Sequence, residues 1–394
     1  MKLFPDDPDV ELYETGFEGD QLERGKFSKQ LSELLDKLES PTVLALDDRW
    51  GTGKTYFLKR WVAAHTKEND CKSTTVYFDA FENDYLSDPL VSIISAVVDR
   101  FPDSETALKK WKSAAKKLIR PGIGIAASLA TFGAARYLDD IGDAVAEAVG
   151  AEVKNAANDI WAEQKAKTEA LETFKAALVD LTTKSDAALV IVVDELDRCR
   201  PDYALSVLEI IKHLFAVPNV HFILGVNGNA LQSSVKARYG ADIDAQAYLR
   251  KFINASFSLP KFHSGQGKGE FLLSYARDMG AQMELPEKIL NRTVTFLGYV
   301  AAQNDVSLRD VGKILSHIAL VPTSASERNV LEGWTDVLCI LLVTSQTHPD
   351  LHQAFLDGEL SEVEISNFLG ITKDKMTETT AGNYNKFYVH DLKI

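Results

Sequence analysis

The chain has 394 residues, 45% of them hydrophobic and 25% charged, a composition typical of a soluble globular protein too long for one core. Its formal net charge of −14 argues against a large nucleic-acid surface, because phosphate binding needs clustered lysine and arginine. The three cysteines are scattered without metal-ligand spacing, which indicates free thiols in a reducing cytoplasm. The first residues, MKLFPDDPDV, contain early acids and no apolar run, unlike a secretory signal.

The N-terminal part of the chain alternates helical patterns with short apolar strands. Apolar residues recur at helical spacing over residues 25–39, and residues 42–46 form a short run typical of a buried parallel strand. A helix over residues 56–64, a second strand over 73–78 and a helix ending near Arg100 follow. Strands that alternate with helices in this way predict a doubly wound parallel α/β sheet.

The rest of the chain continues this alternation and then becomes wholly helical. Residues 105–180 have a helical pattern, residues 187–193 and 220–226 are two further strands, and helices extend from Pro260 to about Leu369. We therefore expect four regions: an N-terminal part of the core over 1–104, a helical insertion over 105–184, a C-terminal part of the core over 185–260, and a helical lid over 261–394.

A glycine-rich loop, DRWGTGKT, follows the first strand and precedes a helix. It matches the phosphate-binding pattern G-x-x-x-x-G-K-[ST], except that Asp48 replaces the first glycine. In such a loop backbone N–H groups surround phosphate oxygens, Lys54 reaches the β- and γ-phosphates, and Thr55 binds Mg²⁺. The alternative is a chance loop. The predicted nucleotide-binding residues are Trp50, Gly51, Thr52, Gly53, Lys54, Thr55 and Tyr56.

Polar residues also follow the third and fourth predicted strands. An acid at the end of a buried strand can hold Mg²⁺ and its water shell, and a second acid can polarise the attacking water. We assign Asp194 to the metal and Glu195 to the water, against the alternative of two exposed acids that cap a strand. Asn227 would hydrogen-bond the water or the γ-phosphate, or be a simple turn former. With the glycine-rich loop, these residues predict a site for ATP and Mg²⁺.

Several stretches together resemble the KAP P-loop NTPases: WGTGKT, FDAF, DELDRCRP, LEIIKHLF, FILGVN, YLRKF and SLRDVGK. The resemblance extends from about Glu23 to Ala319, and DELDR is its most specific part. It implies an ATPase of the additional-strand class with a large helical insertion, in which Arg309 senses the nucleotide. It also implies a protein of the kind that bacteria carry on mobile elements, with some relatives associated with phage exclusion.

In many KAP relatives the helical insertion carries transmembrane helices. Here the small-residue segment 121–135 is too short to span a bilayer, which takes about 20 apolar residues. A basic stretch with apolar residues, 109–120, precedes it and could rest on anionic lipid. We expect a cytoplasmic protein, with peripheral membrane contact or self-association through residues 105–135 as the alternative.

Three further features leave alternatives open. Arg198 either forms a salt bridge at the start of a helix or faces the nucleotide of a neighbouring subunit as an arginine finger. His348 and His352 are four residues apart, but the intervening Pro349 and the lack of an adjacent glutamate argue against a zinc site. The expected partners beyond ATP are a second copy of the chain or a separately encoded effector.

The sequence thus favours an Mg²⁺-dependent ATPase that drives a conformational or assembly switch, with Lys54, Glu195, Arg309 and Asn227 as its catalytic residues. A role in bacterial anti-phage defence rests on the family resemblance alone. The first alternative is a nucleotide-gated scaffold with little turnover, which Asp48 would favour. The second is a DNA-handling ATPase, against which the acidic balance argues.

Overall fold

The computed structural model describes residues 2–3, 10–20, 22–86, 88–101, 156–185, 187–214, 217–260, 269–304, 306–321 and 332–370. The chain divides into two compact units. The first, here called the sheet unit, comprises residues 10–49 and 54–259; the second, the helical unit, comprises residues 1–9, 50–53 and 260–394. The part of the predicted insertion with the small-residue and basic segments, 105–135, lies outside the described residues.

Over its described residues, the sheet unit contains five parallel strands in the order β2-β3-β4-β1-β5. β1, β3 and β4 are almost wholly apolar and buried, as expected for parallel strands covered on both faces. The doubly wound parallel sheet predicted from the sequence is therefore confirmed, with one strand more than predicted. The strands are β1 (Val43–Asp47), β2 (Thr74–Asp79), β3 (Leu189–Asp194), β4 (Val220–Val226) and β5 (Ala255–Phe257).

Helices cover both faces of this sheet, and alternate residues along each strand point to opposite faces. α1 and α2 pack on one face, where Leu44 and Leu46 contact the buried Trp61 cluster. α3, α4, α5 and α6 pack on the other face, with Val43 and Ala45. The helices are α1 (Gly25–Leu35), α2 (Lys54–Lys67), α3 (Pro89–Arg100), α4 (Ala156–Ser185), α5 (Pro201–Leu214), α6 (Gly228–Tyr239) and α7 (Ala245–Leu249), with a 3₁₀ turn at Leu196–Arg198.

The helical unit has a hydrophobic core of its own. An ion pair between Arg292 and Asp336 joins two of its helices, and Ser307 with Asp310 forms a capping box at the start of a third. Within the described part of the chain, none of the helices has the continuous apolar length that a membrane span requires. The helices are α8 (Glu270–Gln282), α9 (Glu287–Gln303), α10 (Leu308–Ala319), α11 (Glu332–Thr347), α12 (Pro349–Leu356) and α13 (Glu362–Leu369).

A buried polar network joins α1 to α2 on the first face of the sheet. The hydroxyl oxygen of Ser32 accepts hydrogen bonds from Trp61 Nε1 at 3.1 Å and from Asn69 Nδ2 at 2.9 Å. Both lone pairs of this oxygen are then used, so Ser32 must donate its own proton to His65 Nδ1 at 2.9 Å. His65 is therefore neutral, with its ring proton on Nε2.

The second nitrogen of His65 continues this network. Nε2 donates to Ser73 Oγ at 2.6 Å, and Ser73 donates to Asp36 Oδ1 at 3.0 Å. Cys71 lies beside them, so that possible metal-binding atoms of Asp36, His65 and Cys71 all lie within 4.8 Å of one another. Serine hydroxyls already bind both ring nitrogens, and a cation would have to displace one of them. We therefore interpret this cluster as a hydrogen-bond network that supports the fold.

This network makes stability depend on pH. Burial lowers the pKa of His65 to about 4, from 6.5 in the unfolded chain. The unfolded chain therefore binds a proton first on acidification, and stability present above pH 6.5 is lost progressively down to pH 4. We expect a loss of up to about 3 kcal/mol from this group. Urea midpoints at pH 7 and pH 5 should differ less for His65→Gln than for the unsubstituted protein; equal differences would contradict the prediction.

Candidate active site

The glycine-rich loop connects β1 to α2. Gly51 and Gly53 have φ of +82° and +86°, in the left-handed region that favours glycine. Residues 50–53 belong to the helical unit, and within it a Cβ on Gly51 would lie 2.7 Å from Ser307 Oγ and 2.8 Å from Arg309 Cβ. Gly51 is thus required both by its backbone conformation and by the close approach of other atoms.

Lys54 is the first residue of α2 and its side chain is buried. Its Nζ donates to the carbonyl oxygens of Asp48 at 2.6 Å and Arg49 at 3.0 Å. Burial lowers the pKa of Lys54, and nearby carboxylates, with Asp197 the strongest and Asp194 among them, oppose this. The ammonium group is therefore held at the base of the loop and surrounded by negative charge.

Asp48, which stands where the pattern has glycine, is accommodated by its surroundings. Its N–H donates to Val226 O at 3.1 Å, and its Oδ1 accepts from the N–H of Arg49 at 2.8 Å. Its Oδ2 is buried, and no hydrogen bond within the described part of the chain reaches it. The buried Arg24 lies close enough for Coulomb attraction to Asp48, although burial lowers the pKa of this guanidinium to about 10. The contact of Asp48 with Lys54 uses its backbone carbonyl, which any residue could supply.

Asp194, at the end of β3, is 1% exposed and is held on both oxygens. Its Oδ2 accepts from the hydroxyl of Tyr77 at 2.9 Å, and its Oδ1 accepts from the N–H of Glu195 at 2.9 Å. On the neighbouring β4, a Cβ added to Gly225 would lie 2.2 Å from Asp194 Oδ1. Burial raises the pKa of Asp194 to about 6, and the hydrogen bonds from the Tyr77 hydroxyl and the Glu195 N–H oppose this rise.

Glu195 follows at once, with φ of +58°, which turns its side chain away from the direction of the strand. Its Oε1 accepts from Thr55 Oγ1 at 3.3 Å and pairs with an Arg198 nitrogen at 2.8 Å. Burial raises the pKa of Glu195, and the charge of Arg198 opposes this rise. Arg198 thus forms a salt bridge within its own chain, one of the two alternatives left open by the sequence.

The remaining predicted site residues have other contacts. Asn227 caps α6, where its Oδ1 accepts from the N–H groups of Asn229 and Ala230. The Tyr56 hydroxyl donates to Asp20 at 3.3 Å. Arg309 is exposed near the start of α10, and its N–H donates to Gly51 O at 3.4 Å inside the helical unit. The sheet unit therefore brings together Lys54, Thr55, Asp194 and Glu195.

Sequence reasoning missed Tyr77 and Gly225, although each leaves a signal. A tyrosine in a strand buried on both faces needs a partner for its hydroxyl. A glycine inside an apolar strand marks a place where other atoms approach the backbone closely. Arg24 has no comparable signal, since its attraction to Asp48 depends on how the N-terminal segment packs.

A strand, a glycine-rich loop with a lysine at the start of a helix, and an acid at the end of a second buried strand, separated from the first by β4, define a P-loop NTPase. The KAP family P-loop domain matches residues 24–324, and the chain belongs to this family. The family resemblance inferred from the sequence is thereby confirmed. The oxygen-only donor set of Thr55 and Asp194 fits Mg²⁺, a cation that prefers oxygen ligands.

Other proteins share weaker similarity with the chain. The phage T7 exclusion protein of Escherichia coli (strain K12) is 22% identical over 246 residues, which are 59% of this chain and 32% of that protein. The chain thus spans about a third of that relative's length. The ORC2 protein of Aeropyrum pernix, in its ADPNP–ADP complexes, superposes with a TM-score of 0.43 at 15% identity over 91% of this chain and 74% of that one. The ADP form of the same protein superposes with a TM-score of 0.41 at 14% identity, over 99% of this chain and 89% of that one.

Proposed function

We propose that this protein is an Mg²⁺-dependent ATPase whose cycle drives a conformational or assembly change. The observation that carries this proposal is one hydrogen-bonded arrangement at the carboxyl ends of β1 and β3. There Thr55 Oγ1 lies 3.3 Å from Glu195 Oε1, the adjacent Asp194 is buried, and Lys54 is held by carbonyls of the loop. Carboxyl ends of parallel strands are where ligands bind in sheets of this class.

In this proposal each side chain has a separate task. Lys54 binds the β- and γ-phosphates, and Thr55 with Asp194 holds Mg²⁺. Bound Mg²⁺ would neutralise negative charge on the phosphates. Glu195 orients a water molecule and accepts its proton as the water oxygen bonds to the γ-phosphorus and the bond to the β–γ bridging oxygen breaks. The products are ADP and inorganic phosphate, and Arg309 and Asn227 are proposed to contact the γ-phosphate or the water.

Asp48 is compatible with this chemistry on physical grounds. Its carbonyl supplies the contact to Lys54, and its carboxylate is attracted by Arg24, so its negative charge has a nearby counter-charge. The position needs a tight turn, which aspartate tolerates well. We therefore favour a loop that binds nucleotide with Asp48 in place.

The experiment that tests the proposal measures ATP turnover and ATP binding in parallel on the purified chain with Mg²⁺. Turnover together with binding supports the ATPase. Binding without turnover supports the second candidate, a nucleotide-gated scaffold, which the Arg198–Glu195 salt bridge favours because it occupies the carboxylate of the base. Absence of binding would contradict both. Turnover that rises on addition of DNA at low salt would support the DNA-handling alternative.

We further propose a role in anti-phage defence, together with a second copy of the chain or a separately encoded effector. The similarity to a phage exclusion protein supports this role, although the chain covers only 32% of that relative. The test is phage plating on bacteria that express the chain with its neighbouring genes. Equal plating with and without expression across diverse phages would contradict the role.

A further inference from the structure

We infer that Tyr77 is a positioning residue that holds the Asp194 carboxylate in the orientation needed to bind the divalent cation. The inference rests on the proposed function, since it assigns a role at the same site. Tyr77 donates its phenolic hydrogen to Asp194 Oδ2 at 2.9 Å, across 117 positions of sequence. The ring lies in the core of the sheet unit and is 9% exposed.

The strand register explains why a tyrosine can reach this carboxylate. Tyr77 of β2 pairs with Val192 of β3, two residues before Asp194, so Tyr77 and Asp194 lie on the same face of the sheet. Two residues of strand span about 6.6 Å, roughly the length of a phenol side chain. Serine or threonine at this position would be too short, and phenylalanine has the length but no donor.

The strand on the other side of β3 completes the arrangement. Gly225 pairs directly with Asp194, and the space of its missing side chain is used by Asp194 Oδ1. Oδ1 also accepts from the N–H of Glu195. Two hydrogen bonds therefore fix the orientation of the carboxylate, one from the Tyr77 hydroxyl of β2 and one from the N–H of Glu195. The missing side chain of Gly225 on β4 leaves room for this orientation.

This restriction matters because Mg²⁺ demands near-ideal octahedral geometry. A buried carboxylate free to rotate would lose conformational freedom on binding the cation, whereas a carboxylate already fixed on both oxygens loses little. Tyr77 donates to one lone pair of Oδ2 and leaves the other available to a cation or a metal-bound water. Fixing such ligands through a second hydrogen bond is a general way to raise metal affinity, with removal typically costing 10- to 100-fold.

The test compares Tyr77→Phe with the matched control Tyr203→Phe. Tyr203 is a buried tyrosine of α5 in the same unit, and its hydroxyl makes no hydrogen bond to either acid. ATP affinity is measured in EDTA and then during a Mg²⁺ titration. For Tyr77→Phe we expect the ATP affinity in EDTA to change less than about twofold. The Mg²⁺ midpoint, which is the Mg²⁺ concentration that gives half of the maximal increase in ATP affinity, should rise about tenfold or more.

A purely structural role of Tyr77 would lower the melting temperature and leave the Mg²⁺ midpoint unchanged, and that result overturns the inference. A second substitution, Tyr77→4-aminophenylalanine, keeps a donor at the para position and should restore a near-normal midpoint. It also serves as the test if Tyr77→Phe does not fold, because a shifted midpoint in this variant would contradict the inference. If the unsubstituted protein binds no ATP, the proposed function fails and the inference with it. If Mg²⁺ tightens ATP binding to the unsubstituted protein and Tyr77→Phe has the same Mg²⁺ midpoint, the inference alone fails.

Discussion

Lys54→Ala is expected to lose ATP binding. The ammonium group of Lys54 places a positive charge at the start of α2, where a triphosphate would bind. Its hydrogen bonds to charged phosphate oxygens would contribute about 1.5–3 kcal/mol each. Removing it also takes away positive charge that attracts the surrounding acids, Asp194 and Asp197 among them. The negative charge of these carboxylates then repels the phosphates of ATP. We expect the Kd for ATP to rise more than about 100-fold in a direct binding measurement.

A matched control for this variant is Lys67→Ala, at the last residue of the same helix. Lys67 is exposed and pairs with Glu14, away from the predicted site. The control has the same loss of charge but should bind ATP with nearly normal affinity. Because Lys54 is buried, Lys54→Arg is included as a variant that keeps the charge and changes its geometry. Near-normal ATP affinity of Lys54→Ala would remove the phosphate-binding assignment of the loop.

Most of the fold could be predicted because its strands are short apolar runs that alternate with helical patterns. β4 was predicted with its observed bounds, and β1 differs only at its ends. β5 was missed because its three residues are largely exposed and give no periodic signal. The first helix ends at Leu35 rather than at residue 39, since Asp36 and the turn after it end the helical hydrogen bonding. Apolar periodicity fixes where an element lies more firmly than where it stops.

The candidate site divides in the same way between local and long-range information. Lys54 and Thr55 follow from a local pattern, as do the paired acids at the end of β3. The hydrogen-bond partners of these two acids, Tyr77 for Asp194 and Thr55 for Glu195, depend instead on packing between distant segments. The bond from Tyr77 to Asp194 and the attraction of Arg24 for Asp48 depend on strand order and on the path of the N-terminal segment. No spacing in the sequence specifies either.

Glu195→Gln is expected to retain ATP and to hydrolyse it slowly. The amide is nearly isosteric with the carboxylate and can still accept the hydrogen bond from Thr55. It cannot take a proton from water, and the loss of a general base typically costs about 10²–10⁴-fold in rate. Turnover should therefore fall by that factor while the Kd for ATP stays within about threefold. Glu209→Gln, at an exposed position of α5, has the same loss of charge and should leave both quantities unchanged.

The salt bridge to Arg198 makes this prediction sharper. If Glu195 mainly anchored Arg198, Arg198→Gln would reproduce the effect of Glu195→Gln, because either change breaks the same 2.8 Å pair. If Glu195 is the base, Arg198→Gln should instead leave most of the turnover, since it frees the carboxylate to bind water. Equal turnover in Glu195→Gln and the unsubstituted protein would remove Glu195 from the chemistry. If Glu195→Gln and Arg198→Gln lose turnover equally, turnover depends on the salt bridge between the two residues rather than on Glu195 as a base.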